Sequence, residues 1–137
     1  MREDTLQHYL NMKEQRIAIA DRSTLAHNLY KMILRPLGFN FLSYQTVRDI
    51  KENFNPKWNV KAFLFNSNIF GNHFEYHWEW LQKDPRFKNV PKIFLCGAGE
   101  KKIQERLKAL PHSHLVTKPF FPDALETILT KVMREKR

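Results

Sequence analysis

A single cysteine, Cys96, stands in a chain of 137 residues. One thiol can build neither an internal disulfide nor a cysteine-based zinc site, and such sparse cysteine usage fits a reducing compartment. Long apolar runs are missing as well. The longest, such as Ala62-Phe63-Leu64-Phe65, fall far short of the ~20 residues that cross a bilayer. The opening residues Met1-Arg2-Glu3-Asp4 run into polar sequence without the apolar centre of a secretory signal. No repeat, low-complexity tract or Gly/Ser linker divides the chain. These absences predict a cytoplasmic protein without membrane insertion, made of a polar extension over 1–14 and one domain over 15–137.

What is present argues for a real core. Apolar residues make up 42% of the chain and aromatics 13%, with eleven phenylalanines, enough to exclude global disorder. Lysine and arginine number 23 against 14 acidic residues, for a net charge of +9. The excess is uneven: residues 1–82 carry ten basic and eight acidic side chains, residues 83–137 thirteen and six. A basic half favours acidic partners, but the basic residues are scattered, which speaks for solubility over a dedicated nucleic-acid surface.

Short apolar runs alternate with helix-period segments, the pattern of an α/β domain with a parallel sheet. Arg16-Ile17-Ala18-Ile19-Ala20 reads as a buried strand. Ser23 then caps a helix with Leu25, Leu29, Met32, Ile33 and Leu37 on its inward face, stopped by Pro36 and Gly38. A strand over Phe39–Ser43 precedes a helix capped by Thr46, with Val47, Ile50 and Phe54 inward. Ala62-Phe63-Leu64-Phe65 is apolar on both faces, as a central parallel strand should be. An aromatic-rich helix follows and ends near Asp84-Pro85. Lys92–Cys96 is the fourth strand, and Gly97-Ala98-Gly99 reads as a mobile loop. A charged helix over Glu100–Leu110 turns Ile103, Leu107 and Leu110 inward. Ser113–Thr117 is the fifth strand, and Pro122 opens a last helix striped by Leu125, Ile128, Leu129, Val132 and Met133. Five strands and five helices in strict alternation make a doubly wound sheet, with any site at the strands' C-terminal ends. The residues there are Ala20, Asp21, Asn66, Cys96, Gly97 and Lys118.

Three stretches carry a family resemblance. Ile19-Ala20-Asp21-Arg22-Ser23 ends the first strand; Trp80-Leu81, Asp84-Pro85-Arg86-Phe87 and Val90-Pro91-Lys92-Ile93 lead from the third helix into the fourth strand; Val116-Thr117-Lys118-Pro119-Phe120 ends the fifth. In order, spacing and length they make residues 15–136 similar to the receiver domain of two-component response regulators, the CheY-like family. The resemblance implies a flavodoxin-like strand order of 2-1-3-4-5 and a cis peptide before Pro119. It also implies a particular chemistry. Receivers bind Mg²⁺ through two carboxylates after the first strand and a third after the third strand, which takes a phosphoryl group from a histidine kinase. A lysine after the fifth strand pairs with the phosphoryl oxygens, a Ser or Thr after the fourth moves toward them, and an aromatic on the fifth follows.

This sequence departs from that set nearly everywhere. The acidic pair is Ala20-Asp21, the acceptor position is Asn66, the hydroxyl position is Cys96 and the aromatic position is Leu115. An amide nitrogen delocalised into its carbonyl is no nucleophile and carries no charge for a hard cation. Asp21 and Lys118 remain, and the expectation is that they neutralise each other. The pattern is that of a degenerate pseudo-receiver, with no catalytic residue, no metal and no cofactor. It predicts a stand-alone, phosphorylation-independent protein-interaction module of bacterial two-component-type signalling or motility. Its partner surface is placed at Lys101, Lys102, Arg106 and Leu115, because receivers commonly use the fourth helix, fifth strand and fifth helix for partners and dimers; a homodimer is among the partners this implies. Two alternatives stand behind it: a nucleic-acid-binding regulator using the basic half, and an atypical receiver that still responds to phosphate or redox.

Other features have plain readings. Cys96 is a redox sensor only if Lys118 lowers its pKa, and otherwise a small core residue. His73 and His77 have a chelating i,i+4 spacing but need a third ligand, from His112 or His114. Phe70, Phe74, Tyr76, Trp78 and Trp80 exceed what one helix face buries, so some of them should be exposed.

Overall fold

The computed structural model describes residues 14–134; the polar extension expected over 1–14 lies, but for its last residue, outside the described residues. Strand β1 (Arg16–Ala20) leads to helix α1 (Thr24–Leu34), β2 (Asn40–Tyr44), α2 (Val47–Asn53), β3 (Val60–Asn66), α3 (Phe74–Lys83), β4 (Lys92–Gly97), α4 (Lys101–Lys108), β5 (Ser113–Lys118) and α5 (Pro122–Arg134). Short 3-10 turns at Arg35–Leu37, Ser67–Phe70 and Pro85–Phe87 finish three of the connections. All strand pairs are parallel and the order is β2-β1-β3-β4-β5, as the resemblance implied.

The three central strands show why one sheet needs two helical layers. Side chains alternate across a strand, so each divides its apolar residues between the faces. Ala18 and Ala20 of β1, Phe63 and Phe65 of β3, and Phe94 and Cys96 of β4 face a layer built from α2, α3 and α4. Ile17 and Ile19, Ala62 and Leu64, and Ile93 and Leu95 face the layer of α1 and α5. The first face holds the phenylalanines. Ring centroids of Phe63 and Phe65 lie 4.4 Å apart, Phe65 and Phe94 5.1 Å, and Phe54 and Phe87 5.0 Å. Offset aromatic contacts of this kind add to the burial of large apolar area. Arg86 closes the layer's end: its guanidinium is paired with Asp84 at 2.6 Å and donates to the carbonyls of Lys51 and Phe54, tying the end of α2 to the turn after α3.

Capping follows the sequence closely. Ser23 Oγ accepts from the amide of Ala26, and Thr46 Oγ1 from that of Asp49. Val47, Ile50 and Phe54 are buried, as are Leu107 and Leu110 of the fourth helical segment and Leu125, Leu129 and Val132 of α5. Of the five aromatics around α3, Phe70 and Trp78 are buried, Phe74 and Trp80 are half-buried, and Tyr76 is the exposed one.

Helix α1 corrects one expectation. The leucine stripe points outward: Leu25 is 79% exposed, Met32 73%, Leu29 49% and Leu37 46%. His27, Tyr30 and Leu34 are the buried face instead. Two polar contacts set this rotation. Tyr30 Oη donates to Asp21 Oδ2 at 2.8 Å, and His27 Nε2 lies 2.8 Å from the Asp21 carbonyl oxygen. Both anchor to Asp21, two residues before the Ser23 cap, so turning the leucines inward would tear those contacts away and leave a buried carboxylate short of a donor, at ~1–3 kcal/mol.

Candidate functional site: the pocket at the strand ends

The C-terminal ends of β1, β3 and β5 bring Asp21, Asn66 and Lys118 together, and Tyr30 and Asn68 complete the group. Asp21 is fully buried. Its Oδ1 accepts from the Ser23 amide and from Asn68 Nδ2, each at 2.9 Å, and its Oδ2 accepts from Tyr30 Oη. Asn66 is buried as well. Its Oδ1 accepts from Lys118 Nζ at 2.9 Å and from the Asn68 amide at 3.1 Å, and its Nδ2 donates to Tyr30 Oη at 3.3 Å. A continuous relay therefore runs from the Lys118 ammonium through Asn66 and Tyr30 to the Asp21 carboxylate. Burial first, and then the Asp21 carboxylate, hold the Tyr30 phenol protonated far above its ordinary range, opposed in part by Asn66.

The direct Asp21–Lys118 pairing expected from sequence does not occur: among the described residues no ion pair joins them. Tyr30 and Asn68 occupy the carboxylate, and Asn66 occupies the ammonium. Sequence reasoning missed both intermediaries. Tyr30 lies in a helix whose leucine spacing points to another face, and Asn68 follows the third strand in a short 3-10 turn without a motif to mark it.

The donor set does not suit a magnesium ion. That hard cation takes oxygen ligands in near-octahedral array, usually with one or two carboxylates and several waters. Here position 20 is a buried methyl within the aromatic layer, position 66 is an amide, and the one carboxylate has both oxygens engaged. No three His, Cys, Asp or Glu side chains form a metal-sized cluster among the described residues.

Around the pocket, Cys96 is buried in the aromatic layer, and burial first, then the Glu100 carboxylate, push its thiol up to about 11 against the opposing pull of Lys118. That thiol stays protonated near neutrality, which matches a core residue. The loop expected to be mobile is tied down. Glu100 Oε1 accepts from Ser67 Oγ at 2.8 Å and from the Gly97 amide at 2.7 Å, and Gln104 Nε2 donates to the Gly97 carbonyl at 2.6 Å. Lys118-Pro119 is a cis peptide. Lys101 and Lys102 are exposed on α4, Arg106 pairs with Glu75 of α3 at 2.6 Å, and Leu115 is half-buried on β5. His73 and His77 lie with ring centroids 6.5 Å apart. His112 precedes β5 at the opposite edge of the sheet, and His114 lies near that edge too, so neither joins them.

Solved structures of the same shape are numerous. The chemotaxis response regulator CheY4 of Vibrio cholerae matches with a TM-score of 0.70 and 16% identity, covering 88% of this chain and 99% of its own. The receiver domain of a signal-transduction histidine kinase from Syntrophus aciditrophicus gives 0.67 at 16% identity over 88% and 94%. A response regulator receiver protein from Sinorhizobium medicae gives 0.66 at 14% identity over 91% and 98%. This is the receiver fold. No protein-family model and no curated protein matches the sequence. In receiver-fold terms the pocket just described stands at the end of the sheet where topology places ligand sites, and its own side chains fill it. No helix among the described residues is long and apolar enough to cross a membrane.

Proposed function

We propose that the protein is a pseudo-receiver: a receiver-fold module of two-component-type signalling or motility that acts by contact with a protein partner and does not cycle through an aspartyl phosphate. One observation carries the reading. At the acceptor position Asn66 is neutral, non-nucleophilic and hydrogen-bonded through both ends of its amide to Lys118, Asn68 and Tyr30. The lysine that would answer a phosphoryl group is already engaged, and the loop after β4 is held by Glu100. Such a pocket holds one state.

Output then falls to the surface. At the sheet's β5 edge, Leu115, Val116, Phe121 and Ile128 line a shallow groove between β5 and α5, with Lys131 and Asp123 both beside it and Phe121 79% exposed. Lys101 and Lys102 add positive charge on α4. An apolar centre with a charged rim is the anatomy of a transient protein interface, and it fits a partner with an apolar anchor and acidic surroundings.

The amide NMR spectrum tests the reading. Acetyl phosphate or beryllofluoride with Mg²⁺ is expected to leave the resonances of Asn66, Lys118 and their hydrogen-bond partners Tyr30 and Asn68 in place. Saturable shifts at Asn66 and Lys118, or a phosphoryl group found on residue 66 by mass spectrometry, would overturn it.

A further inference from the structure

A second cleft opens beside the filled pocket. It occupies about 350 Å³ between the loops that follow β1, β2 and β3, and its lining includes Arg22, Thr46, Arg48, Asn72, His73 and His77. Among the described residues no carboxylate lines it. The nearest acidic residues of α2 turn elsewhere: Asp49 Oδ1 accepts from Asn53, and Glu52 meets Arg48 through Nε at 2.8 Å. Asp21 is sealed on the far side of Arg22 by the contacts described above. Arg22 itself has no ion pair among the described residues. Its guanidinium lies over Gly71, 3.7 Å from where a Cβ would stand, and Gly71 holds φ +57° with ψ −137°, a conformation that disfavours any side chain. That contact places the Arg22 guanidinium against the Gly71 backbone at the cleft's edge.

Two guanidinium groups, two imidazoles and a threonine thus converge from after β1 and from the starts of α2 and α3. His77 stands in the wall of the cleft. Burial, then Lys51 of α2 and His73, depress its imidazole below the ordinary value, and its Nδ1 is buried without a partner. Tyr76 packs edge-on to the same ring and carries Lys51 over its own face at 4.8 Å. Arg48 keeps its Glu52 partner on Nε, whereas Arg22 brings an unpaired guanidinium to the cleft, and an anion there would relieve that charge. Arginine forks match the oxygens of phosphate in particular. Beneath them Val47, Ile69 and Phe70 form an apolar floor, and the volume lies at the lower end of the ~300–1,000 Å³ range of small-molecule sites.

We propose that this cleft binds a small phosphomonoester, its phosphoryl group between Arg22 and Arg48 and its body on the apolar floor. The site is separate from the Asn66 pocket and needs no covalent step. It would make the domain responsive to a dissolved ligand.

Titration of the ¹⁵N-labelled protein with inorganic phosphate, and separately with phenyl phosphate, at constant ionic strength tests this. Saturable shifts are expected at Arg22, Thr46, Gly71, Asn72 and His73 with both, and phenyl phosphate should bind several-fold tighter. The double variant Arg22→Gln, Arg48→Gln should weaken both by roughly tenfold or more. Lys101→Gln, Lys102→Gln, which removes the same charge from α4, should leave them within about twofold. All four positions are exposed, and the spectra themselves report whether each variant is folded. Equal weakening by the two double variants, shifts centred on Asn66 and Lys118 instead, phenyl phosphate no tighter than phosphate, or no localised shift would each overturn the proposal. Beryllofluoride, which tests the acceptor position, gives an independent answer, so the two readings can fail separately.

Discussion

Lys92 opens β4 yet is only 2% exposed, with its Nζ donating to the carbonyls of Phe87 at 2.5 Å and Val90 at 2.9 Å. Burial pushes its ammonium down to about 8 from an ordinary value of 10.5. The consequence for stability has a definite sign. Between those two values the unfolded chain binds the proton and the folded chain has released it, so stability rises with pH. Cys96, pushed up to about 11, and Tyr44, pushed up to about 12, act in the opposite sense once their unfolded values of 9.0 and 10.0 are reached. The clean window is therefore pH 8 to 9. Urea midpoints of the wild type should climb across it by up to ~1 kcal/mol equivalent, while Lys92→Met should be flat. Parallel slopes for the two proteins would refute the assignment. The basis is residue-level: one amine desolvated at the start of an inner strand.

At the scale of an element, α1 shows how a helix is turned. Its outward leucines and methionine obey no burial rule, whereas Tyr30 and His27 are held to Asp21. Leu25→Lys and Met32→Lys should each change unfolding free energy by less than ~0.5 kcal/mol. Leu34→Ala, which empties space behind β1, should cost ~2–5 kcal/mol, and Tyr30→Phe ~1–3 kcal/mol through the lost donor to Asp21. A large loss from Leu25→Lys in denaturant unfolding would mean the helix is rotated as its leucine count suggests. Elsewhere apolar periodicity read correctly, because α2, α4 and α5 carry no competing polar anchor on their inner faces. Apolar pattern decides a helix's rotation only when no buried polar group outbids it.

Across the whole molecule the same internal commitments thin out the basic half. Lys118 bonds Asn66 inside the strand-end pocket and Lys92 is buried. The net charge of +9 therefore overstates what a polyanion would meet on any one face. Since each phosphate contact steepens salt dependence by about 0.9 in log–log slope for duplex DNA, a labelled 20-base-pair duplex should show no saturable anisotropy change at 150 mM salt. Retention of tight binding there, with a steep salt slope, would favour a nucleic-acid role.

The order of strands and helices along the chain and the capping residues Ser23 and Thr46 were legible from residue order. Each depends on contacts within a turn or two, or on the alternation of side chains along a strand, and such short-range geometry travels with the local sequence. The closure of the pocket was not. It is made by Tyr30 reaching 9 residues back to Asp21, Asn66 reaching 36 to Tyr30, Asn68 reaching 47 to Asp21 and Lys118 reaching 52 to Asn66. The cationic cleft beside it likewise gathers Arg22, Arg48 and His73 from after β1, the start of α2 and the approach to α3. Side chains that far apart along the chain have no fixed distance until the sheet is assembled, because parallel crossovers alone set which strand ends share an edge.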